Sequence, residues 1–82
     1  MAGTDMAVVR MRGLPFRTSE FEIAEFFRGF DLVQNSIQLR QDDSGRATGE
    51  GTVAFTSRIE AERAIRERNK HHIGSRYVEL FF

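Results

Sequence analysis

The chain has 82 residues, 40% of them hydrophobic and 29% charged, as expected of one small globular domain. Cysteine is absent, which excludes disulfides and thiolate metal sites, and no apolar run approaches the 18 residues of a membrane span. Twelve basic residues balance twelve acidic ones, so binding to a polyanion would depend on local clusters of positive charge.

The first part of the chain predicts a strand, a loop and a helix. Residues 1–7 are expected to form a flexible tail, and residues 8–82 a single domain. The sequence VVRMR at 8–12 alternates as a half-buried strand does. Ser19 and Glu22 have the spacing of a helix-capping box. The apolar residues of one helical face follow at i, i+3, i+4 and i+7: Ile23, Phe26, Phe27 and Phe30.

The middle of the chain predicts a β-hairpin followed by a second helix. Residues 36–41 and the second half of 48–55 alternate as strands do, and the sequence DDSG between the two segments is a turn signal. Ser57 and Glu60 repeat the capping-box spacing, so a helix is expected to begin there. Its apolar stripe is thin and consists of Ala61, Ala64 and Ile65.

The last part of the chain predicts a loop at 71–75 and one closing strand at 76–82, RYVELFF, with Val78 and Leu80 facing inward. The element order is then β-α-β-β-α-β. Because crossovers are right-handed, both helices are expected on one face of a four-stranded antiparallel sheet. The predicted fold class is therefore α+β, a ferredoxin-like sandwich whose second sheet face is open to solvent.

Alternation also assigns the residues of that open face, which carries mixed charges and one ring: Arg10, Arg12, Gln38, Arg40, Glu50, Thr52, Tyr77 and Glu79. The element order resembles the RNA recognition motif, whose third strand reads basic-Gly-aromatic-Gly/Ala-aromatic-Val-x-aromatic. The sequence TGEGTVAF at 48–55 keeps both glycines, Val53 and Phe55. It has Glu50 and Thr52 where base-stacking rings would stand. We therefore expect the scaffold of the motif without its usual stacking platform.

The combination resembles the quasi-RNA-recognition motif of the heterogeneous nuclear ribonucleoprotein F and H family and of the epithelial splicing regulators. The matching segments are VVRMRGLPF at 8–16, the Phe26-Phe27 pair, GRATGE at 45–50 and GSRYVELF at 74–81. The resemblance implies that loops at one end of the sheet, rather than the sheet face, hold guanine-rich single-stranded RNA. By position it implicates Arg12, Phe16, Arg46, Thr48, Arg76 and Tyr77. The family often has Trp where this chain has Phe16, a smaller stacking surface.

The residues themselves point to the same end of the sheet. Five cations lie in or beside loops at the ends of predicted strands: Arg12, Arg17, Arg46, Lys70 and Arg76. Such cations contact phosphates, and the guanidinium fork matches O6 and N7 of guanine. Two rings, Phe16 and Tyr77, could stack on bases for about 1–3 kcal/mol each. The predicted RNA-binding residues are therefore Arg12, Phe16, Arg17, Arg46, Thr48, Arg76 and Tyr77.

Three of these candidates also have a purely structural interpretation. Phe16 could pack on the first helix, and Tyr77 could cover the sheet face. Arg12 could pair with Glu50 or Glu79 across that face, which would be worth about 0–1 kcal/mol. The adjacent histidines at 71 and 72 lack further nearby ligands, so we expect no metal site and no cofactor.

Three classes of function are compared. The first is single-stranded RNA binding, and the second is a protein-interaction module on a degenerate form of the fold. The third, an enzyme, lacks a nucleophile–base pair, a metal cluster and a phosphate loop. The resemblance implies a role in pre-mRNA splicing or mRNA processing, a nuclear location that leaves the cytoplasm open, and RNA-processing proteins as further partners. We expect a monomer without a membrane partner.

Overall fold

A computed structural model describes residues 5–82. Of the expected tail, residues 1–4 lie outside the described residues, and Ala7 already belongs to the first strand. The helices and strands of the described part are β1 (Ala7–Arg12), α1 (Glu20–Phe26), β2 (Gln38–Gln41), β3 (Ala47–Phe55), α2 (Arg58–Arg68), β4 (His72–Ile73), β5 (Arg76–Tyr77) and β6 (Glu79–Phe81). Neither of these two helices has the length and apolarity that a membrane span requires.

The main sheet has four antiparallel strands in the order β2-β3-β1-β6. Arg10 of the central strand β1 lies between Thr52 of β3 and Phe81 of β6, so these side chains share one face. The opposite face packs against both helices in a single apolar cluster. The predicted ferredoxin-like α+β fold is confirmed.

The core lies between the helices and the inner face of the sheet. Its largest fully buried side chains are Phe27, Phe55, Met11, Leu14, Ile23, Val9, Val53 and Val78. Phe27 meets Phe55 edge to face, with 5.2 Å between the ring centroids, which favours the aromatic quadrupoles. The alternation in β1 and β3 and the helical spacing in α1 therefore identified the core correctly.

The two helices begin differently, although their sequences have the same capping signal. At α1 the box is complete, because the Glu22 amide donates to Ser19 Oγ at 3.1 Å and the Ser19 amide donates to Glu22 Oε1 at 2.9 Å. At α2 the Glu60 amide donates to Ser57 Oγ at 3.0 Å. The Glu60 carboxylate, however, accepts from the Asp31 amide at 2.8 Å, so the helix begins where the spacing predicted, with Ser57 as its N-cap, but only half of a capping box forms.

The single closing strand predicted at 76–82 is also wrong, because the segment divides at Val78. Its first residues form β5, which pairs with β4 in a separate two-stranded sheet, and the predicted loop at 71–75 supplies β4. The Val78 amide donates to the His71 carbonyl at 2.9 Å, and the Lys70 amide donates to the Val78 carbonyl at 2.7 Å. These bonds fold the chain back, so only Glu79–Phe81 (β6) pairs with β1.

Glu60 joins the start of α2 to the chain that follows α1. Its carboxylate accepts from Arg63 Nη2 at 3.0 Å, and the same nitrogen donates to the Gly29 carbonyl at 3.2 Å. The Arg63 hydrogen bond, and then the Asp31 amide, hold the pKa of Glu60 below its usual value of 4.5. The ionised carboxylate is therefore favoured in the folded state over the unfolded state.

This lowered pKa predicts an acid-dependent contribution to stability. The contribution is fully present above pH 4.5 and is lost as the pH falls through the lower pKa of the folded state. Glu60→Gln should reduce the denaturant midpoint at pH 7 and remove this part of the acid dependence. The matched control is Glu62→Gln, which removes only an exposed pair with Arg58. Equal pH profiles for wild type and Glu60→Gln would contradict the expectation.

Candidate functional site

Three chain segments meet at one end of the main sheet: the β1–α1 loop at 13–19, the start of β3, and the β4–β5 hairpin. The Leu14 amide donates to the Gly49 carbonyl at 2.9 Å, which ties the β1–α1 loop to β3. Arg76 Nε donates to the Gly13 carbonyl at 3.3 Å, which ties the same loop to β5. We call this meeting of three segments the loop junction.

Two glycines allow the backbones of the loop junction to approach closely. Gly13 has φ of +91°, and a Cβ atom there would lie 2.8 Å from the Tyr77 carbonyl oxygen. Gly49 has φ of +85°, and its Cβ would lie 3.2 Å from the Leu14 carbonyl oxygen. The left-handed backbone and the missing side chain are both needed, so the glycines fix the spacing of the three segments.

Phe16 presents an open aromatic ring at the junction. Its side chain is 67% exposed, so it does not belong to the core. The guanidinium carbon of Arg76 lies 5.9 Å from the ring centroid, within cation–π range. One ring edge faces Gly49, 3.7 Å from the position that a Cβ atom would occupy there. The structure thus brings Phe16 and Arg76 together and leaves ring surface free for a ligand.

Tyr77 provides the second exposed ring. It is 53% exposed and lies in β5, with its ring edge to face with His72 at 6.4 Å between centroids. The prediction that Tyr77 lies on the open face of the main sheet is wrong, since β5 pairs with β4. Its backbone carbonyl nevertheless adjoins Gly13, so the strand that carries the ring is part of the loop junction.

Arg12 is held by an ion pair rather than free. Its Nη2 lies 2.8 Å from Glu79 Oε1, and its Nε donates to the same oxygen at 2.9 Å. The alternative partner, Glu50, lies 3.9 Å from Arg40 Nη1 instead. Arg12 remains on the rim of the junction, and its guanidinium could contact a ligand only beside Glu79.

The other predicted site residues surround the β2–β3 turn or follow Phe16. Arg17 and Arg46 are exposed and take part in none of the ion pairs formed among residues 5–82. Asp42 shapes the turn, because its Oδ1 accepts from the Arg46 amide at 3.0 Å. The hydroxyl of Thr48 accepts from the Glu50 amide at 3.3 Å, which gives it a local structural contact.

The sequence prediction did not include Gly13 among the site residues, although Gly13 connects two of the segments. The available signal was a glycine directly after a predicted strand, which also suits an ordinary turn. None of the described residues form a group of three or more His, Asp or Glu side chains placed to hold a metal ion.

The open sheet face carries a shallow groove of about 410 Å³. Phe81 lies opposite Arg10 in the register of the sheet and points toward this face. It is half-buried beneath Arg10 and Arg12, whose guanidinium carbons lie 4.8 and 5.2 Å from the ring centroid. The ring-poor, charge-compensated face thus contrasts with the two exposed rings of the loop junction.

The four-stranded sheet, its two helices and the third-strand glycines define an RRM-type fold. Residues 9–82 match the family model described as "RRM domain". The chain therefore belongs to the RRM domain family and is an RNA-binding domain rather than an enzyme.

Several known proteins of this family are similar to this chain. Heterogeneous nuclear ribonucleoprotein H from Rattus norvegicus is 51% identical over 73 residues, which cover 89% of this chain and 16% of that protein. The chain thus spans about a sixth of the length of such curated relatives. The structure of the Glorund qRRM2 domain is 45% identical with a TM-score of 0.83, covering 90% of this chain and 84% of that chain. G-rich RNA sequence binding factor 1 from Homo sapiens shares the fold, with a TM-score of 0.86 at 23% identity over 94% of this chain and 79% of that chain.

Proposed function

We propose that this domain binds guanine-rich single-stranded RNA at the loop junction rather than on the sheet face. The observation that carries the proposal is the placement of the exposed rings. Phe16 and Tyr77 are 67% and 53% exposed. Phe16 lies in the loop that contains Gly13, and Tyr77 lies in β5, which contacts Gly13. The sheet face has Glu50 and Thr52 in place of stacking rings, so the junction is the better platform for bases.

The junction supplies the contacts that such a ligand needs. Phe16 and Tyr77 stack on unpaired bases, and Arg76 stands beside the first ring. The exposed guanidinium groups of Arg17 and Arg46 are available to phosphates or to the O6 and N7 acceptors of guanine. Arg12 and Thr48 complete the set at its rim. Because stacking requires unpaired bases, binding competes with stems and quadruplexes formed by the same RNA.

The relatives support this role and its cellular setting. The similarity to heterogeneous nuclear ribonucleoprotein H covers 89% of this chain, and that name denotes a nuclear ribonucleoprotein. We infer a nuclear location and a role in pre-mRNA splicing or mRNA processing, with other RNA-processing proteins as neighbours. The isolated domain acts as a monomer in this proposal.

A chemical-shift titration tests the site. A short single-stranded oligonucleotide with a run of guanines should shift backbone amides at 13–17, 44–49 and 71–77. An oligouridine of equal length should bind more weakly, because uracil lacks the paired O6 and N7 acceptors. Shifts confined to Arg10, Gln38 and Thr52 would contradict loop-based recognition and place the RNA on the sheet face.

Salt dependence gives an independent prediction. Three or four phosphate contacts correspond to a log–log slope of roughly −2 to −3 for a single strand. The slope is measured by fluorescence titration of the guanine-rich oligonucleotide over a range of salt concentrations. Arg46→Ala should reduce its magnitude by about 0.7 if that guanidinium contacts one phosphate. A slope near zero would contradict phosphate contact.

A further inference from the structure

A second groove lies between α1 and the connection that leads from α1 into β2. Its volume is about 310 Å³. Its apolar walls are formed by Phe21 and Ala24 of α1 and by Leu32, Val33 and Ile37 of the connection, and Glu20 stands at its rim. We call it the α1 groove. The proposed RNA-binding residues do not line it.

The apolar surface of the groove is open. Phe21 is 71% exposed and lies on the side of α1 away from Ile23 and Phe26, which pack in or against the core. Ala24 is also exposed, and its small side chain leaves a hollow between Phe21 and the far wall. An exposed aromatic ring beside a concave apolar surface is typical of a protein-binding site.

The far wall is anchored to β3 by hydrogen bonds. The Val33 amide donates to the Ala54 carbonyl at 2.8 Å, and Leu32 forms a bridge with Phe55. Ser36 Oγ accepts from the Ala54 amide at 3.0 Å. These bonds fix the connection to β3, so a ligand would meet a preformed groove and would lose little affinity to ordering it.

The charge around the groove selects the kind of ligand. The segment 20–37 holds Glu20, Glu22, Glu25 and Asp31 against Arg28, a net charge of −3 in a chain whose net charge is zero. Arg28 already pairs with Glu25. The rim residue Glu20 takes part in none of the ion pairs among residues 5–82. Arg63 and Arg68 of α2 donate to backbone carbonyls at 26–29, but neither lines the groove. The carboxylate of Glu20 at the rim therefore attracts cationic groups and repels RNA phosphates.

We propose that the α1 groove docks a short peptide segment of a partner protein, in which an apolar anchor side chain lies beside lysine or arginine. A groove of about 310 Å³ is at the small end of ligand sites, which suits one anchor side chain rather than a whole helix. The anchor packs between Phe21 and Leu32, and the flanking cation approaches Glu20. RNA at the loop junction and a peptide in this groove would occupy different surfaces.

Three synthetic peptides test the proposal by amide-shift titration. The first is acetyl-Gly-Lys-Leu-Phe-Lys-Gly-amide; the second replaces both lysines with glutamate, and the third replaces leucine and phenylalanine with serine. The first should shift amides at 20–24 and 32–37 and bind at least about tenfold more tightly than the other two. Absence of these shifts, or equal binding of the glutamate peptide, would overturn the proposal.

Matched variants locate the contact. Phe21→Ala and Glu20→Lys should each weaken binding of the lysine peptide about tenfold or more. Ile59→Ala, at a 78% exposed apolar residue of α2, and Glu62→Lys should leave it within about twofold. All four positions are on the surface, and retention of the amide spectrum verifies folding. Equal effects of the two sets would overturn the assignment to the α1 groove.

Two further measurements distinguish other occupants and separate this site from RNA binding. Dilution of the free domain would shift the same amides if a second copy occupied the groove, and a guanine-rich oligonucleotide would shift them if RNA did. Either result would overturn the peptide proposal. Affinity for that oligonucleotide should be the same with and without saturating lysine peptide, so failure of one site does not imply failure of the other.

Discussion

Phe16→Ala is expected to weaken binding of guanine-tract RNA by about 5- to 150-fold. The estimate follows from about 1–3 kcal/mol for one base stacked on one aromatic ring, converted at about 1.4 kcal/mol for each factor of ten. Phe16 is 67% exposed, so its removal takes away ligand contact without opening a cavity in the core. Thermal stability should therefore change little, and the effect should fall on RNA affinity.

Phe21→Ala is a closely matched control for this experiment. Phe21 is 71% exposed, but it lies on α1 in the α1 groove rather than at the loop junction. Fluorescence titrations of both variants with the same guanine-rich oligonucleotide compare two exposed phenylalanines in different positions. If Phe16→Ala bound the RNA as tightly as wild type, the proposal that Phe16 stacks on a base would be wrong. An equal loss of RNA affinity in Phe21→Ala would show that the loss is not specific to the loop junction.

The core of this fold can be predicted from the sequence because burial imposes a regular spacing on the apolar residues. Val9 and Met11 alternate with arginines along β1, and both apolar side chains are almost fully buried. Ile23 and Phe27 lie one helical turn apart and face the sheet together. In these elements the local pattern and the tertiary packing agree, so propensity and spacing were sufficient.

The division of the closing segment could not be read in the same way. Val78 and Leu80 occupy alternate positions of RYVELFF and are buried as predicted, yet the strand pairing changes on either side of Val78. The change depends on bonds from Val78 to Lys70 and His71, which local alternation does not encode. As a result, the sequence correctly singled out Tyr77 as exposed but placed it on the wrong sheet.

The partner of Arg12 shows a second limit of sequence reasoning. In the register of the sheet, Arg12 lies directly opposite Glu50 on one side and Glu79 on the other. Alternation places all three side chains on one face and gives no preference between the carboxylates. Arg40 lies close to Glu50, and Arg12 pairs with Glu79. The pairing is settled by the positions of neighbouring strands rather than by local sequence.

Gly13→Ala is expected to have the largest effect of any single methyl group added at the loop junction. The positive φ of +91° costs an L-residue about 1–2 kcal/mol, and the new Cβ would lie 2.8 Å from the Tyr77 carbonyl. Overpacking of this kind costs a further 1–3 kcal/mol or so. A total of about 2–5 kcal/mol is a large share of the stability of an 82-residue domain.

Gly45→Ala separates the stability cost of a positive φ from the stability cost of overpacking. Gly45 has a similar φ of +80°, but nothing lies within 4 Å of its Cβ position, so only the backbone cost of about 1–2 kcal/mol applies. Urea unfolding of both variants should therefore show a greater loss for Gly13→Ala. Because the displaced contact is to Tyr77, the folded fraction of Gly13→Ala should also bind guanine-tract RNA more weakly than that of Gly45→Ala. Equal losses of stability would mean that the β1–α1 loop moves away from β5 freely, and a loop that moves freely could not hold Phe16 and Tyr77 at a fixed separation.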